Sequence, residues 1–165
     1  MLYFAYGSNL HHKQMKKRCK DSLYIGCFTL KNYELHFRNF YFGGGVADIQ
    51  EKKNSSVLGA IYKITKKDEK KLDIYENFPN TYVKKYFKLS GKRVMFYYMP
   101  KKTKYNSPSK RYLNLIIQGY KDCGWNKKIL LKKIRKWMKI IDCITFFDEE
   151  MLLDFRLNQL NDKID

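Results

Sequence analysis

At 165 residues the chain is long enough for one globular domain, and its lack of a membrane-spanning apolar run or a signal-peptide pattern predicts a cytoplasmic protein. Its formal net charge of +18 would ordinarily suggest nucleic acid or an anionic membrane as a partner. Only six of the 34 basic residues are arginine, the residue best suited to phosphate recognition, and the lysines are spread along the whole chain, which argues against both partners.

The first part of the chain predicts a strand, a glycine turn, a helix and then further strands. Residues 2–5 form a short apolar strand that stops at Gly7, and residues 10–20 a polar, basic helix. Strands are predicted at 24–30 and 33–38, the second with the alternation of a half-buried strand. The three glycines at 43–45 then interrupt the sheet as a loop or bulge, or approach a ligand.

The middle of the chain predicts a strand, a capped helix and a hairpin. An apolar strand at 57–64 ends at Thr65, which forms a helix-capping pattern with Asp68. The helix so started runs to about Glu76 and stops at residues 77–80. Residues 82–89 and 93–99 are rich in β-forming residues and are joined across 90–92, which predicts a hairpin.

Helices dominate the last part of the chain. Ser107 and Pro108 predict the start of a helix that ends at Gly124, and Asn126 caps another helix through about residue 143. A short acidic helix is predicted at 148–160. Strands followed by helices, without strict alternation, indicate an α+β fold. We expect one domain, with the residues after about 125 as a helical appendage.

The segment Tyr6-Gly7-Ser8-Asn9-Leu10 lies between the first strand and the first helix. Gly7 permits a sharp turn, Ser8 and Asn9 are good N-caps, and the free N–H groups of a helix start carry partial positive charge. Such a turn can hold a carboxylate or a developing oxyanion. The same residues also suit a simple tight turn, and their types alone do not separate the two interpretations.

Glu76 is the candidate acid/base residue. It lies one turn after Leu72 on the same helix face, with aromatic residues nearby in sequence. Partial burial there would raise the pKa of the carboxyl toward the range useful for proton transfer near neutrality. The alternative is a solvated glutamate at a helix end. Asp73, flanked by lysines, is interpreted as a surface residue.

The cysteines and histidines predict neither a metal site nor disulfide bonds. There is no Cys-x-x-Cys pair and no metal-ligand spacing, and without a secretory signal we expect free thiols. The residues concerned are Cys19, Cys27, Cys123, Cys143, His11, His12 and His36. No metal and no cofactor are therefore expected.

Several segments taken together resemble the γ-glutamylcyclotransferase family over residues 1 to about 125. The segments are Tyr3-Phe4-Ala5-Tyr6-Gly7-Ser8-Asn9-Leu10, Gly44-Gly45-Val46-Ala47-Asp48-Ile49, Leu72-Asp73-Ile74-Tyr75-Glu76-Asn77 before Tyr82, and Ser107-Pro108-Ser109 leading to Tyr112 and Gly119. The opening motif at the N-terminus is quite specific to this family. The other segments are weak evidence singly and strong evidence as an ordered set. The family usually has glycine where Asn77 stands. Residues 126–165 have no counterpart and are expected to form a helical extension packed on the domain of residues 1–125.

The resemblance implies a small mixed β-barrel flanked by helices, with a pocket at one mouth. It also implies cyclisation of a γ-glutamyl group to 5-oxoproline with release of an amine or amino acid. Glu76 would be the general acid/base, and Tyr6, Gly7, Ser8, Asn9 and Leu10 would hold the substrate. By the same resemblance, Tyr112 would contact the γ-glutamyl group. Tyr112 lies on the apolar face of a predicted helix, so it could equally be a core residue.

Two other hypotheses remain open at this stage. The chain could be a non-catalytic binding or regulatory module of the same fold that acts through the basic surface of residues 127–139. It could also associate with nucleic acid through net charge alone, which predicts weak, salt-sensitive binding. The sequence does not determine the leaving amine or the oligomeric state.

Overall fold

The computed structural model describes residues 1–39, 44–101 and 103–134 of the chain. The strands are β1 (Leu2–Ala5), β2 (Leu23–Asn39), β3 (Gly45–Lys63), β4 (Val83–Leu89) and β5 (Lys92–Tyr98). The helices are α1 (His12–Arg18), α2 (Lys66–Tyr75), α3 (Lys110–Asp122) and α4 (Lys127–Ile134), with a 3₁₀ helix at Ser8–Leu10. Within these ranges, every helix is too short or too polar to cross a membrane.

The five strands form one mixed sheet in the order β2-β3-β1-β5-β4. All neighbouring pairs are antiparallel except β1 and β5, which are parallel. The edge strands β2 and β4 meet through side chains, because the rings of Phe28 and Phe87 stack with centroids 5.4 Å apart. The predicted α+β class is confirmed. The word barrel applies loosely, because no ladder of hydrogen bonds joins β2 to β4 in the described ranges.

Strands β2 and β3 are longer than the sequence predicts. The predicted strands at 24–30 and 33–38 are one continuous strand, with a register shift between Lys31 and Tyr33. Asn32 and Asn54 have φ of 61° and 63° at this irregularity. Asparagine enters the left-handed region more readily than most residues, so the break in the sequence pattern is a bulge inside one strand rather than a turn between two.

Gly45 begins β3, Gly44 precedes the strand, and both glycines pack against the chain's own backbone. The amide of Gly45 donates to the carbonyl oxygen of Ser107 at 2.7 Å, and a Cβ built on Gly45 would overlap the carbonyl oxygen of Asn106. The loop interpretation is therefore wrong for Gly45, whereas Gly44 is a bend with a φ of 127° just before the strand. Gly43 lies outside the described residues.

The predicted β4–β5 hairpin is confirmed. Ser90 and Gly91 have φ of 48° and 76°, the positive values that the favoured two-residue hairpin turn requires. The predicted cap of α2 is also confirmed, because Thr65 and Asp68 form a reciprocal capping box. Asn126 caps α4 by accepting a hydrogen bond from the amide of Lys128 at 2.8 Å.

Helix α3 begins later than predicted. Its cap is Ser109, whose hydroxyl accepts from the amide of Tyr112 at 3.2 Å, and its first residue is Lys110. Ser107 cannot serve as the cap because its carbonyl is engaged with β3. The predicted helix to residue 143 is described only through Ile134, and the helix at 148–160 lies outside the described residues.

Helix α3 lies directly behind the 3₁₀ helix and holds it in place. A Cβ built on Gly119 would stand 2.7 Å from both the Cγ of Leu10 and the backbone nitrogen of His11, so glycine permits this close approach. At the end of α3, Asp122 accepts a hydrogen bond from the amide of His12 at 2.8 Å. Asp122 thus caps α1, the role that the sequence assigned to Ser8 and Asn9.

Cys27 and Cys123 form a disulfide with their Cα atoms 5.8 Å apart. The prediction of free thiols is therefore wrong for this pair. The end of α3 packs beside β2 and brings together residues separated by 96 positions, which no local spacing in the sequence indicates. Cys19 is free and buried, and Cys143 lies outside the described residues.

We predict that Gly45→Ala lowers the free energy of unfolding by about 1–3 kcal/mol, because the new methyl group forces β3 away from Asn106. Gly26→Ala in β2 is the matched control, since a Cβ there meets nothing within 4 Å. The control is expected to stay within about 0.5 kcal/mol of the parent in urea denaturation. Equal stability of the two variants would contradict the close approach at Gly45.

Candidate active site

A cavity of about 160 Å³ opens beside the 3₁₀ helix. The N-terminal segment, the end of α1, the start of β3 and the end of α2 contribute to its wall. The sequence-predicted site residues Tyr6, Gly7, Ser8, Asn9, Glu76 and Tyr112 all line this cavity. The structure therefore brings together residues that are separated by more than 100 positions in the chain.

Glu76 is the C-terminal cap residue of α2 and projects its carboxyl into the cavity wall. Its amide donates to the carbonyl oxygen of Leu72 at 2.8 Å, so the last helical turn fixes its backbone. The next residue, Asn77, has a φ of 49°. Asparagine tolerates this conformation, which explains how it can occupy a position where the resembled family usually has glycine.

Burial raises the pKa of Glu76 to about 7, while the positive charge of Arg18 and a hydrogen bond from Asn9 act in the opposite direction. The C-terminal end of a helix carries partial negative charge, which opposes ionisation of a nearby carboxyl as burial does. Near neutral pH the carboxyl can therefore both accept and donate a proton.

The side chain of Asn9 connects Glu76 to two other cavity residues. Its Nδ2 donates to Oε1 of Glu76 at 3.1 Å and to the hydroxyl oxygen of Tyr3 at 3.0 Å. Its Oδ1 accepts from a guanidinium nitrogen of Arg18 at 2.6 Å. Both amide hydrogens and the amide oxygen are thereby engaged, so this side chain orients the carboxyl of Glu76 and the guanidinium of Arg18.

Ser8 and Asn9 of the 3₁₀ helix line one wall of the cavity. The amide of Leu10 donates to the carbonyl oxygen of Gly7 at 2.9 Å, and the Leu10 side chain is fully buried behind this wall. Leu10 does not line the cavity, so its contribution is to support the wall. Gly7 fits closely under Tyr112, whose hydroxyl oxygen would lie 3.2 Å from a Cβ built on Gly7.

The buried Tyr82 and the partly buried Tyr112 line the cavity and hold the start of β3. The hydroxyl of Tyr82 donates to the carbonyl oxygen of Ala47 at 2.6 Å, and the hydroxyl oxygen of Tyr112 accepts from the amide of Ala47 at 3.2 Å. Burial raises the pKa of Tyr112 to about 12, so the group is neutral near pH 7. Because its oxygen acts as the acceptor toward Ala47, its own proton is available to an acceptor in the cavity.

Arg18 and Tyr75 line the cavity, and neither was among the predicted site residues. The guanidinium carbon of Arg18 lies 4.5 Å from the ring centroid of Tyr75. A signal for Arg18 was present, because it follows Met15 by three residues and so shares the inward face of α1. Tyr75 precedes Glu76 in one of the segments that resemble the family, and its side chain is 58% exposed.

Two other carboxylates near this region are engaged in structural contacts. Asp73 accepts hydrogen bonds from the hydroxyl of Tyr97 at 2.6 Å and from Lys84 at 2.9 Å, so its interpretation as a simple surface residue is wrong. Asp48 is fully buried and pairs with Nε of Arg38 at 3.0 Å. Neither residue lines the cavity.

Residues 3–116 match the protein family described as γ-glutamyl cyclotransferase, AIG2-like. The chain is 31% identical over 137 residues to γ-glutamylcyclotransferases of Mus musculus and Homo sapiens. Each alignment covers 74% of this chain and 71% of the relative. All the cavity residues named above fall inside the matched range.

Solved structures with the same fold cover the chain more fully. A structure titled γ-glutamyl cyclotransferase superposes with a TM-score of 0.72 at 26% identity, covering 94% of this chain and 96% of that one. YkqA of Bacillus subtilis superposes with a TM-score of 0.69 at 21% identity and shares the fold. The architecture described above is therefore shared with a solved structure titled γ-glutamyl cyclotransferase.

We predict that the stability gained by Glu76→Gln depends on pH. Below the ordinary carboxyl pKa of 4.5, Glu76 is protonated in both the folded and unfolded states. Between pH 4.5 and about 7 the unfolded chain ionises at this position while the folded chain keeps the proton, so the parent protein loses stability as pH rises up to about 7 and loses no more above it.

Chemical denaturation should find the two proteins equally stable at pH 4 and the variant more stable by about 1–3 kcal/mol at pH 8. A stability difference that stays constant from pH 4 to pH 8 would contradict the raised pKa.

Proposed function

The chain belongs to the γ-glutamyl cyclotransferase, AIG2-like family, and we propose that Glu76 carries the protons in its reaction. The function is that of a γ-glutamylcyclotransferase, which converts a γ-glutamyl group to 5-oxoproline and releases the attached amine. The substrates of this family are small γ-glutamyl compounds. The observation that carries the assignment of Glu76 is its position in the cavity wall with a pKa of about 7.

The proposed reaction takes place within one substrate molecule. The α-amine attacks the γ-carbonyl carbon, a C–N bond forms, and the carbonyl oxygen becomes an oxyanion. The bond to the leaving nitrogen then breaks as the carbonyl reforms. Glu76 accepts a proton from the α-amine and delivers a proton to the departing nitrogen, so the carboxylate is regenerated in each turnover.

Ring closure needs little beyond a folded substrate and a route for protons. Holding an intramolecular reaction in its reactive conformation can remove several kcal/mol from the barrier. The narrow cavity, closed by Tyr3, Tyr82 and Tyr112, suits a short chain that must curl on itself. The hydrogen bond from Asn9 aims one oxygen of Glu76 and leaves the other for the substrate.

The backbone of Gly7, Ser8 and Asn9 is the proposed binding surface for the negative groups of the substrate. These residues form the cavity wall at the start of the 3₁₀ helix, where backbone N–H groups carry partial positive charge. They would stabilise a carboxylate or the developing oxyanion. Tyr6 lines the same wall, and Tyr112 would donate its proton to the γ-glutamyl group.

We predict that Glu76→Gln abolishes release of 5-oxoproline from γ-glutamyl dipeptides and γ-glutamyl amines. Loss of a general acid/base typically reduces the rate by about 10²–10⁴-fold. The assay contains EDTA, which tests the expectation that the reaction needs no metal. Product is measured by chromatography under conditions in which circular dichroism shows both proteins folded.

The matched control is Glu69→Gln, the same substitution on the same helix. Glu69 pairs with Lys84 at 2.7 Å and does not line the cavity, so its variant should retain the parent rate. Equal activity of Glu76→Gln and the parent would remove Glu76 from the mechanism. Folded parent protein that releases no 5-oxoproline from any compound would favour the non-catalytic module.

The rate of the parent enzyme should depend on pH through Glu76. The carboxyl must be ionised to accept a proton, so kcat/KM should rise with pH and level off above about 7. Because the positive charge of Arg18 lowers the pKa of Glu76, Arg18→Gln should move this inflection to higher pH. An unmoved inflection, or one near pH 4.5, would assign the titration to a different group.

A further inference from the structure

The disulfide between Cys27 and Cys123 joins the end of α3 to β2 at a place that a dissolved thiol can reach. Cys27 is exposed and Cys123 is partly buried. The hydroxyl of Tyr24 lies 3.0 Å from Sγ of Cys27 and can donate a hydrogen bond to that sulfur. Exposed disulfides are more open to thiol–disulfide exchange than disulfides inside a core, because the attacking thiolate needs access to a sulfur.

The last two turns of α3, which end at Cys123, hold the junction between the 3₁₀ helix and α1. Asp122 precedes Cys123 and accepts a hydrogen bond from the amide of His12 at 2.8 Å. Gly119, one turn earlier, approaches Leu10 so closely that a Cβ built on it would stand 2.7 Å from Cγ of that residue. The covalent bond to β2 therefore lies at the end of the helical segment that fixes this junction.

A second set of contacts leads from the disulfide to the same junction. The ring of Tyr24, whose hydroxyl contacts Cys27, packs against the ring of His12 with centroids 4.3 Å apart. Tyr62 of β3 contacts both of these rings. Its hydroxyl donates to the carbonyl oxygen of Leu10 at 3.3 Å. The two half-cystines are therefore connected to the junction from two sides, one through α3 and the other through β2 and β3.

The junction is continuous with the cavity wall, so its position affects the proposed site. Ser8 and Asn9 of the 3₁₀ helix line the cavity, and Leu10 follows them directly. The hydrogen bond of 3.1 Å from Asn9 to Glu76 is lost if the 3₁₀ helix moves by a few tenths of an ångström to an ångström. A misplacement of about 1 Å can lower the rate of an enzyme by about 100-fold. Loosening α3 from β2 would therefore weaken the support of the catalytic carboxyl.

We propose that the Cys27–Cys123 disulfide is a redox-modification site at which a thiol reductant lowers the activity of the cavity. The inference rests on the proposed function of the cavity and adds its regulation. In the oxidised protein the covalent bond anchors α3 to β2 and thereby supports the 3₁₀ helix. In the reduced protein α3 keeps the contacts of Gly119 and Asp122 but is no longer tied to the sheet, so the 3₁₀ helix moves more freely.

The modification consumes two thiol groups of the reductant and leaves both cysteines reduced. A thiolate attacks the exposed Sγ of Cys27, an S–S bond to the reductant forms, and the sulfur of Cys123 leaves with the electron pair and takes up a proton. A second thiolate attacks the reductant's sulfur in this mixed disulfide and becomes part of an oxidised, disulfide form of the reductant. The sulfur of Cys27 then leaves as a thiolate, to which the Tyr24 hydroxyl can donate, and takes up the second proton.

The first test measures amide hydrogen exchange before and after treatment with dithiothreitol, at short labelling times that report local opening. Reduction should speed exchange at residues 10–12 by at least about tenfold, because α3 holds them less firmly. The β4–β5 hairpin, residues 83–98, is the internal reference and should exchange as in the oxidised protein. Unchanged exchange at residues 10–12 would overturn the coupling. This measurement needs no turnover, so it decides the coupling even if the parent releases no 5-oxoproline.

The second test measures 5-oxoproline release from a γ-glutamyl dipeptide under conditions in which circular dichroism shows both redox forms folded. Reduction should lower kcat at least about fivefold, and reoxidation with glutathione disulfide should restore it. The double variant Cys27→Ser/Cys123→Ser should have the rate of the reduced parent and should not respond to dithiothreitol. A rate that reduction leaves unchanged would overturn the proposal. Folded parent protein without product in either redox form would contradict the proposed function and leave the exchange measurement to decide the coupling.

Three single variants test the route and the identity of the cysteines. Asp122→Ala removes the contact with His12, so reduction should cost this variant less activity than it costs the parent. Equal losses in the two proteins would contradict the route through α3. Cys19→Ala and Cys143→Ser leave the disulfide in place and should respond to dithiothreitol as the parent does. Loss of the response in either variant would assign the effect to that cysteine and overturn the proposal.

Discussion

The carboxamide of Asn9 is the contact on which the arrangement of the cavity depends. It keeps a carboxyl and a guanidinium close together without letting them pair. A direct ion pair would favour the charged form of Glu76 and hold its pKa well below neutrality. Separation by a neutral amide lets burial dominate instead, which raises the pKa to about 7. One asparagine therefore keeps the pKa of the Glu76 carboxyl near neutrality beside a positive charge, as the proposed proton transfer requires.

The rest of the fold can be understood as a support for Asn9. The 3₁₀ helix that carries it is backed by α3, which approaches closely because position 119 is glycine. Asp122 ties the end of α3 to the start of α1, and the disulfide between Cys27 and Cys123 lies next to that contact. A site whose side chains must keep such contacts needs rigid elements beneath it, and these connections supply them.

The sequence predicted the features that depend on neighbouring residues. The capping box at Thr65, the hairpin turn at Ser90 and the α+β class all follow from local patterns, and the structure contains each of them. The cap supplied by Asp122 and the disulfide join distant parts of the chain, so local patterns could not predict them. The resemblance to a family predicted that Glu76 and the Tyr6–Leu10 segment belong to one site. It did not predict the hydrogen bond by which Asn9 orients Glu76.

Asn77 explains how the chain can depart from its family beside the proposed catalytic residue without moving it. A glutamate that caps the C-terminus of a helix needs the next residue to leave the helix, here with a φ of 49°. Glycine adopts this conformation freely, and asparagine adopts it more easily than other residues with side chains. The side-chain Nδ2 of Asn77 donates to the hydroxyl of Thr81 at 2.8 Å and so stabilises the turn that follows. The substitution changes an exposed side chain but keeps the backbone geometry, so the carboxyl of Glu76 still enters the cavity.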